Sequence, residues 1–204
     1  MKPINKTIRV FAPASSANLG CGFDVMGMAL DGIGDVLRIA ISEGDGLTIR
    51  NTSAAELPED IEKNVITPAV RAFMAAAGKK ACLEIVVEKK IRPGSGIGSS
   101  AASSAAAVFG LNELYGRPFP LPELVPFAME GEKLISGTAH ADNSAPAVMG
   151  GIVLIRGYQP LDMVRLPVPD SFCFSVIHPH IVVSTKAARD VLRKEIPMRE
   201  AVIQ

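Results

Sequence analysis

The chain has 204 residues, 48% of them hydrophobic, and a mean hydropathy of +0.28, enough apolar material for one large domain or two small ones. Its 21 basic residues balance 21 acidic ones, so the formal net charge is zero, which argues against a broad nucleic-acid surface because that needs a basic excess. No apolar run reaches the roughly 20 residues of a membrane span, and Cys21, Cys82 and Cys173, far apart and without a CxxC pair, read as buried small hydrophobes in a reducing compartment.

The N-terminal MKPINKTIRVFAPA has no apolar stretch of signal-peptide type, so a cytoplasmic protein with no membrane partner is expected. Ile8–Ala14 alternates and predicts a strand running into a loop at Ser15–Asn18, followed by the glycine-punctuated LGCGFDVMGMALD. Asp35–Ser42 and Gly46–Asn51 predict short strands. Asn64–Ala77 predicts a helix with Val65, Ala69, Ala72, Phe73 and Ala76 on one face, ended by Gly78. Ala81–Lys90 predicts a strand, Ser99–Tyr115 a helix stopped by Gly116 and Pro118, and Leu121–Ile135 a second helix. A short helix over Asn143–Met149 and a strand over Gly151–Gly157 follow, and the Pro-rich RGYQPLDMVRLPVPD reads as a linker or edge. Phe172–His180 predicts a strand and Ser184–Lys194 a helix capped by Ser184. The mixture is α+β. The last segment stops inside an amphipathic helical pattern, so the chain is expected to be part of something longer.

The stretch PGSGIGSSAASSAAAVFG, from Pro93 to Gly110, sets a glycine loop directly before a helix of small residues. The first N–H groups of such a helix lack internal partners and the helix dipole adds positive charge there. Glycines let the backbone approach an anion closely and turn successive N–H groups toward it. A Walker A loop is excluded, since no lysine lies between Lys90 and Lys133. The spacing is G-x-G-x-G, where a dinucleotide fingerprint needs G-x-G-x-x-G. No G-x-S-x-G elbow of a serine hydrolase occurs. Read alone, the stretch is equally a turn before a tightly packed structural helix.

The core Gly-Ser-Gly-Ile-Gly-Ser-Ser-Ala resembles the second signature of the GHMP kinases (galactokinase, homoserine kinase, mevalonate kinase, phosphomevalonate kinase). One local departure is Arg92, which stands where the signature's proline is expected, with proline at position 93. Three further stretches resemble the homoserine kinase branch, in family order. They are APASSANLGCGFD near the N-terminus, then Glu132, Ser136, Gly137, His140, Asp142, Asn143, Ala145 and Pro146, and last Ser184, Thr185, Ala188 and Arg189.

The resemblance implies a two-domain GHMP-kinase-like α+β fold, with residues 1–160 as the ATP-binding domain and 171–204 as the start of a second domain whose remainder is missing. It implies phosphorylation of L-homoserine by ATP with Mg²⁺, as a step of threonine biosynthesis, and a homodimer as the family-level expectation. Gly94, Ser95, Gly96, Ile97, Gly98, Ser99 and Ser100 would cradle the ATP phosphates, Asn64 would meet the adenine, and Ser100 and Glu132 would hold Mg²⁺. Asn18, Asp24, His140, Asn143, Thr185 and Arg189 would line the homoserine site. Arg189 is suited to a bidentate pair with the substrate carboxylate. Asn143 stands where sister kinases carry an aspartate base and, being an amide, cannot take a proton, so no dedicated side-chain base is expected; Asp24 and Asp142 are the rivals. Taken singly, Asn18 reads as closing a turn, Asp24 as a helix cap, Glu132 and Glu130 as a solvated face, and Arg189 as a surface arginine. His178 and His180 lack a third metal ligand and read as structural.

Overall fold

The structure, a computed structural model, describes residues 6–54, 57–58, 60–177, 190–193 and 195–203. In chain order the elements are β1 (Lys6–Ala17), β2 (Met26–Ser42), β3 (Gly46–Asn51), a single 3₁₀ turn (Ile61–Lys63), α1 (Ile66–Ala76), β4 (Cys82–Glu88), α2 (Ser99–Leu114), α3 (Leu121–Ser136), α4 (Ala141–Met149), β5 (Ile152–Tyr158), β6 (Leu161–Leu166) and α5 (Met198–Ile203).

One six-stranded sheet holds them together, with β3-β4-β2-β5-β6 as its path and β1 paired with β2. β3 and β4 are parallel, and the other pairs are antiparallel. Period-two alternation decides which face is inside. Val10, Ala12 and Ala14 of β1, Leu37, Ile39 and Ile41 of β2, and Leu83, Ile85 and Val87 of β4 all point into one core.

Helix α2 lies across that face, and α1, α3 and α4 pack around it. Its alanines and serines are buried on nearly every side, so its small residues serve close approach. A Cβ on Gly110 would stand 2.5 Å from Ile39 Cδ1, so a bulkier helix would be pushed off the sheet. Phe73 of α1, Phe127 of α3 and Phe119 of the α2–α3 connection meet edge to face and close the far side of the core.

The structure lengthens two of the expected strands and pairs them. Ser15, Ser16 and Ala17, expected in a loop, pair with Ala29, Met28 and Gly27, and β2 begins at Met26 rather than Asp35. Gly27 and Gly34 sit inside the strand where neighbours come too close for a side chain. A Cβ on Gly27 would lie 1.7 Å from the carbonyl oxygen of Asp142, so this glycine lets α4 rest on the sheet. The Pro-rich stretch contributes β6 at the sheet edge.

Two expectations are corrected. Residues 172–177 form no strand; they lie exposed, and among the described residues no strand pairs with them. Cys21 and Cys173 are exposed and Cys82 is half-buried, because the loop and tail carrying the first two lie outside the core. The helix expected from Ser184 falls largely outside the described residues, as do His178 and His180. No helix among the described residues is long and apolar enough to cross a membrane.

Candidate functional site

The glycine loop rises from the end of β4 and delivers the N-terminus of α2. Gly94, Gly96 and Gly98 have φ of 76°, 76° and 66°, a left-handed conformation that suits glycine at each alternate position. A Cβ on Gly94 or Gly96 would meet nothing within 4 Å, so that side of the loop is open. Gly98 is closed in by Ser15 and Asn143. The loop is tied down by Ser15 N–H donating to Ile97 O at 3.1 Å and by Ser99 Oγ donating to Ile91 O at 3.2 Å. Ser95 Oγ is buried without a hydrogen-bond partner, an orphaned polar atom in a loop shaped for an anion.

A buried cluster that sequence reasoning missed props this loop from behind. Lys89 Nζ donates to Asp35 Oδ2, to Ser99 O and, at 2.8 Å, to Ser103 Oγ. The other oxygen of Asp35 accepts the backbone N–H groups of Lys90 and Ile91, each at 2.9 Å. The side chains of Lys89 and Asp35 are 3% and 0% exposed, which makes the pair an internal clamp. Burial pulls the Lys89 ammonium below its ordinary pKa, against the opposing pull of Asp35. Lys89 directly precedes the loop, and only the long β2–β4 pairing brings Asp35 to it.

Ser100 and Glu132 meet at the N-terminus of α2, where Ser100 Oγ donates to Glu132 Oε1. Burial raises the Glu132 pKa, opposed by that hydrogen bond and assisted by nearby Asp142. Glu130 turns away: it pairs with Lys133 at 3.7 Å and lines a cleft of about 660 Å³ between α1 and α3. The two glutamates are thus separated by helix geometry.

A second group of side chains faces the loop from the β1–β2 connection and α4. Ser15 Oγ donates to Asn143 Oδ1 at 2.8 Å. Asn18 closes its turn by accepting the Asp24 N–H at 2.8 Å, and both residues take positive φ, 59° and 57°. His140 Nδ1 lies 3.7 Å from Asp24 Oδ2, and its Nε2 lies 2.9 Å from Thr138 Oγ1. Burial, and then the charge of Asp24, push the Asp142 carboxyl above its ordinary range. Asn18, Asp24, His140 and Asn143 are therefore brought together. Asn64 is buried at the start of α1, where its Oδ1 accepts the Ile66 N–H at 3.0 Å. Thr185 and Arg189 lie outside the described residues.

No group of three or more His, Cys, Asp or Glu side chains among the described residues could hold a metal by itself. One buried carboxylate beside a hydroxyl still fits Mg²⁺, which takes few protein ligands and completes its shell with phosphate and water.

A glycine loop opening onto a helix N-terminus over a mixed sheet is an arrangement suited to an anion. Residues 64–151 match the family of GHMP kinases N terminal domain. The chain belongs to the GHMP kinase superfamily. Within it, the chain is similar to homoserine kinases. It is 46% identical to that of Natronomonas pharaonis over 96% of this chain and 63% of the relative. It is 39% identical to that of Chlorobium phaeobacteroides over 98% of this chain and 66% of the relative. The crystal structure of homoserine kinase from Cytophaga hutchinsonii superposes with a TM-score of 0.88 and 43% identity, over 99% of this chain and 65% of that one. The chain therefore spans just under two thirds of the length of these relatives.

Proposed function

We propose that this chain belongs to a cytoplasmic kinase that transfers the γ-phosphoryl group of ATP to the side-chain hydroxyl of L-homoserine, giving O-phospho-L-homoserine for threonine biosynthesis. The observation that carries the reading is the meeting of Ser100 and Glu132 at the open N-terminus of α2, with Asn18, Asp24, His140 and Asn143 gathered beside it.

In this reading the N–H groups of Gly94–Ser100 and the dipole of α2 hold the phosphates, and Asn64 borders the adenine. Glu132 and Ser100 would hold Mg²⁺, which when bound would supply charge neutralisation beside the phosphates. The acceptor's ammonium group is held by Asp24 and Asn18, and its carboxylate by Arg189, with Thr185 beside it. The new O–P bond forms as the bond between the γ-phosphorus and the bridging oxygen breaks, and ADP departs. The hydroxyl proton passes to a phosphate oxygen. Asn143 is no base, because its amide oxygen is engaged by Ser15 and an amide does not take a proton at neutral pH. Phosphoryl transfer depends chiefly on alignment and charge stabilisation, which these residues supply without a covalent intermediate.

The test is ADP release with L-homoserine in the presence and absence of Mg²⁺. Release that needs both supports the proposal. Equal release without acceptor means the chain is only an ATPase and contradicts it.

A further inference from the structure

We infer that Tyr158 is a positioning residue for the acceptor site, fastening the Asn18–Asp24 loop to the start of α4. The inference rests on the reading of that site as the amino-acid pocket. Tyr158 Oη donates to the carbonyl oxygen of Asp24 at 2.8 Å, across 134 positions of sequence, and accepts the Ala141 N–H at 3.2 Å. Its ring stands edge to face with His140, centroids 6.4 Å apart. One side chain therefore touches both walls that carry the candidate acceptor ligands.

Tyr158 is mounted on the sheet. It ends β5, opposite Leu161 in the β5–β6 hairpin, and Arg156 and Asp162 join across that hairpin at 2.9 Å. β5 also holds the far end of the same loop, since the Ile155 N–H donates to Val25 O at 2.7 Å and Met26 pairs with Leu154. The loop is strained at both ends of its turn, with Asn18 and Asp24 at positive φ, so it needs an external restraint to keep its shape. The Ala141 N–H is an orphan donor of the first turn of α4, and Tyr158 satisfies it. The hydroxyl thus sets the spacing between Asp24 and His140 without itself touching the carboxyl group or a ring nitrogen.

The test is Tyr158→Phe, which keeps the ring and removes the latch. The expected result has two parts. Amide exchange speeds up at Ala141 and through residues 18–25 while residues 94–104 keep their protection. The KM for L-homoserine rises roughly three- to tenfold, as for one lost hydrogen bond, with kcat and the KM for ATP within about twofold of the unmodified protein. A parallel rise in the KM for ATP would mean a general loosening and overturns the inference. Unchanged exchange at both walls overturns it as well, as does faster exchange with an unchanged acceptor KM. Failure of the acceptor assignment looks different: the unmodified protein then leaves L-homoserine untouched. In that case the exchange arm, with the KM for whichever alcohol is accepted, still judges Tyr158.

Discussion

Ser15 Oγ donates to Asn143 Oδ1 across 2.8 Å, linking β1 to α4, and the pair lies directly against the α-carbon of Gly98. A Cβ at position 98 would stand 1.9 Å from Ser15 Oγ and 3.0 Å from Asn143 Oδ1, on a residue whose φ is 66°. Gly98→Ala is therefore expected to cost about 1–3 kcal/mol in urea unfolding, from overpacking and backbone strain together. Ser15→Ala removes the clashing oxygen and is expected to recover part of that loss, a coupling that a double-mutant cycle measures.

Ser100 and Glu132 make the second test. Ser100→Ala and Glu132→Gln each remove one group from the charged end of the site and leave the fold's core untouched. Each is expected to lower kcat/KM by roughly 10²–10³, as for one lost transition-state contact. Titration of the rate with Mg²⁺ should show a higher half-saturating concentration in Glu132→Gln. A wild-type response in that titration would remove Glu132 from the metal site.

Stability should depend on pH through the same carboxylate. Burial raises the pKa of Glu132 in the folded chain, so the folded state keeps a proton that the unfolded state has lost. The stability tied to that proton is complete below the ordinary carboxylate range and is lost as pH rises through the raised value. In the absence of nucleotide and Mg²⁺, the stability of the unmodified protein should fall relative to Glu132→Gln across that window. Thermal unfolding of both proteins at stepped pH reads this as a difference between two curves. Parallel curves would mean that the carboxyl is no more costly to ionise folded than unfolded.

The Lys89–Asp35 clamp is buried, so breaking it from one side leaves a charge without a partner. Asp35→Ala is expected to destabilise by about 3–5 kcal/mol in denaturant, whereas replacing both residues, as in Asp35→Leu with Lys89→Met, should cost much less. The double variant still orphans the Lys90 and Ile91 N–H groups and releases Ser99 O, so it should fold with a residual loss of stability and bind ATP more weakly.

Asp24→Asn separates binding from proton removal. With the hydroxyl proton passing to phosphate, this variant should raise the KM for L-homoserine and keep kcat within about tenfold. Abolished turnover with acceptor binding retained would make Asp24 a base.

Much of this was legible in the sequence where the signal was local. Short strand-like runs located β3 and β4, and Gly116 and Pro118 marked the end of α2. The glycine loop announced itself through composition. What the sequence hid was long-range. Gly27 stood in a stretch legible only as glycine-punctuated, because nothing nearby reveals that Asp142 O fills the space a side chain would need. Asp35 read as an ordinary strand residue, since its partner Lys89 lies 54 positions away. Tyr158 fell in a stretch read as a linker, and only the folded sheet brings its hydroxyl to Asp24 and Ala141.

The identity of the acceptor is decided by a single competition. L-Homoserine, L-serine, L-threonine and mevalonate are offered together at equal concentration with ATP and Mg²⁺, and the phosphorylated products are resolved by ³¹P NMR. O-phospho-L-homoserine should be the dominant product. Phosphomevalonate in its place, or preferential phosphorylation of L-serine or L-threonine, would contradict it.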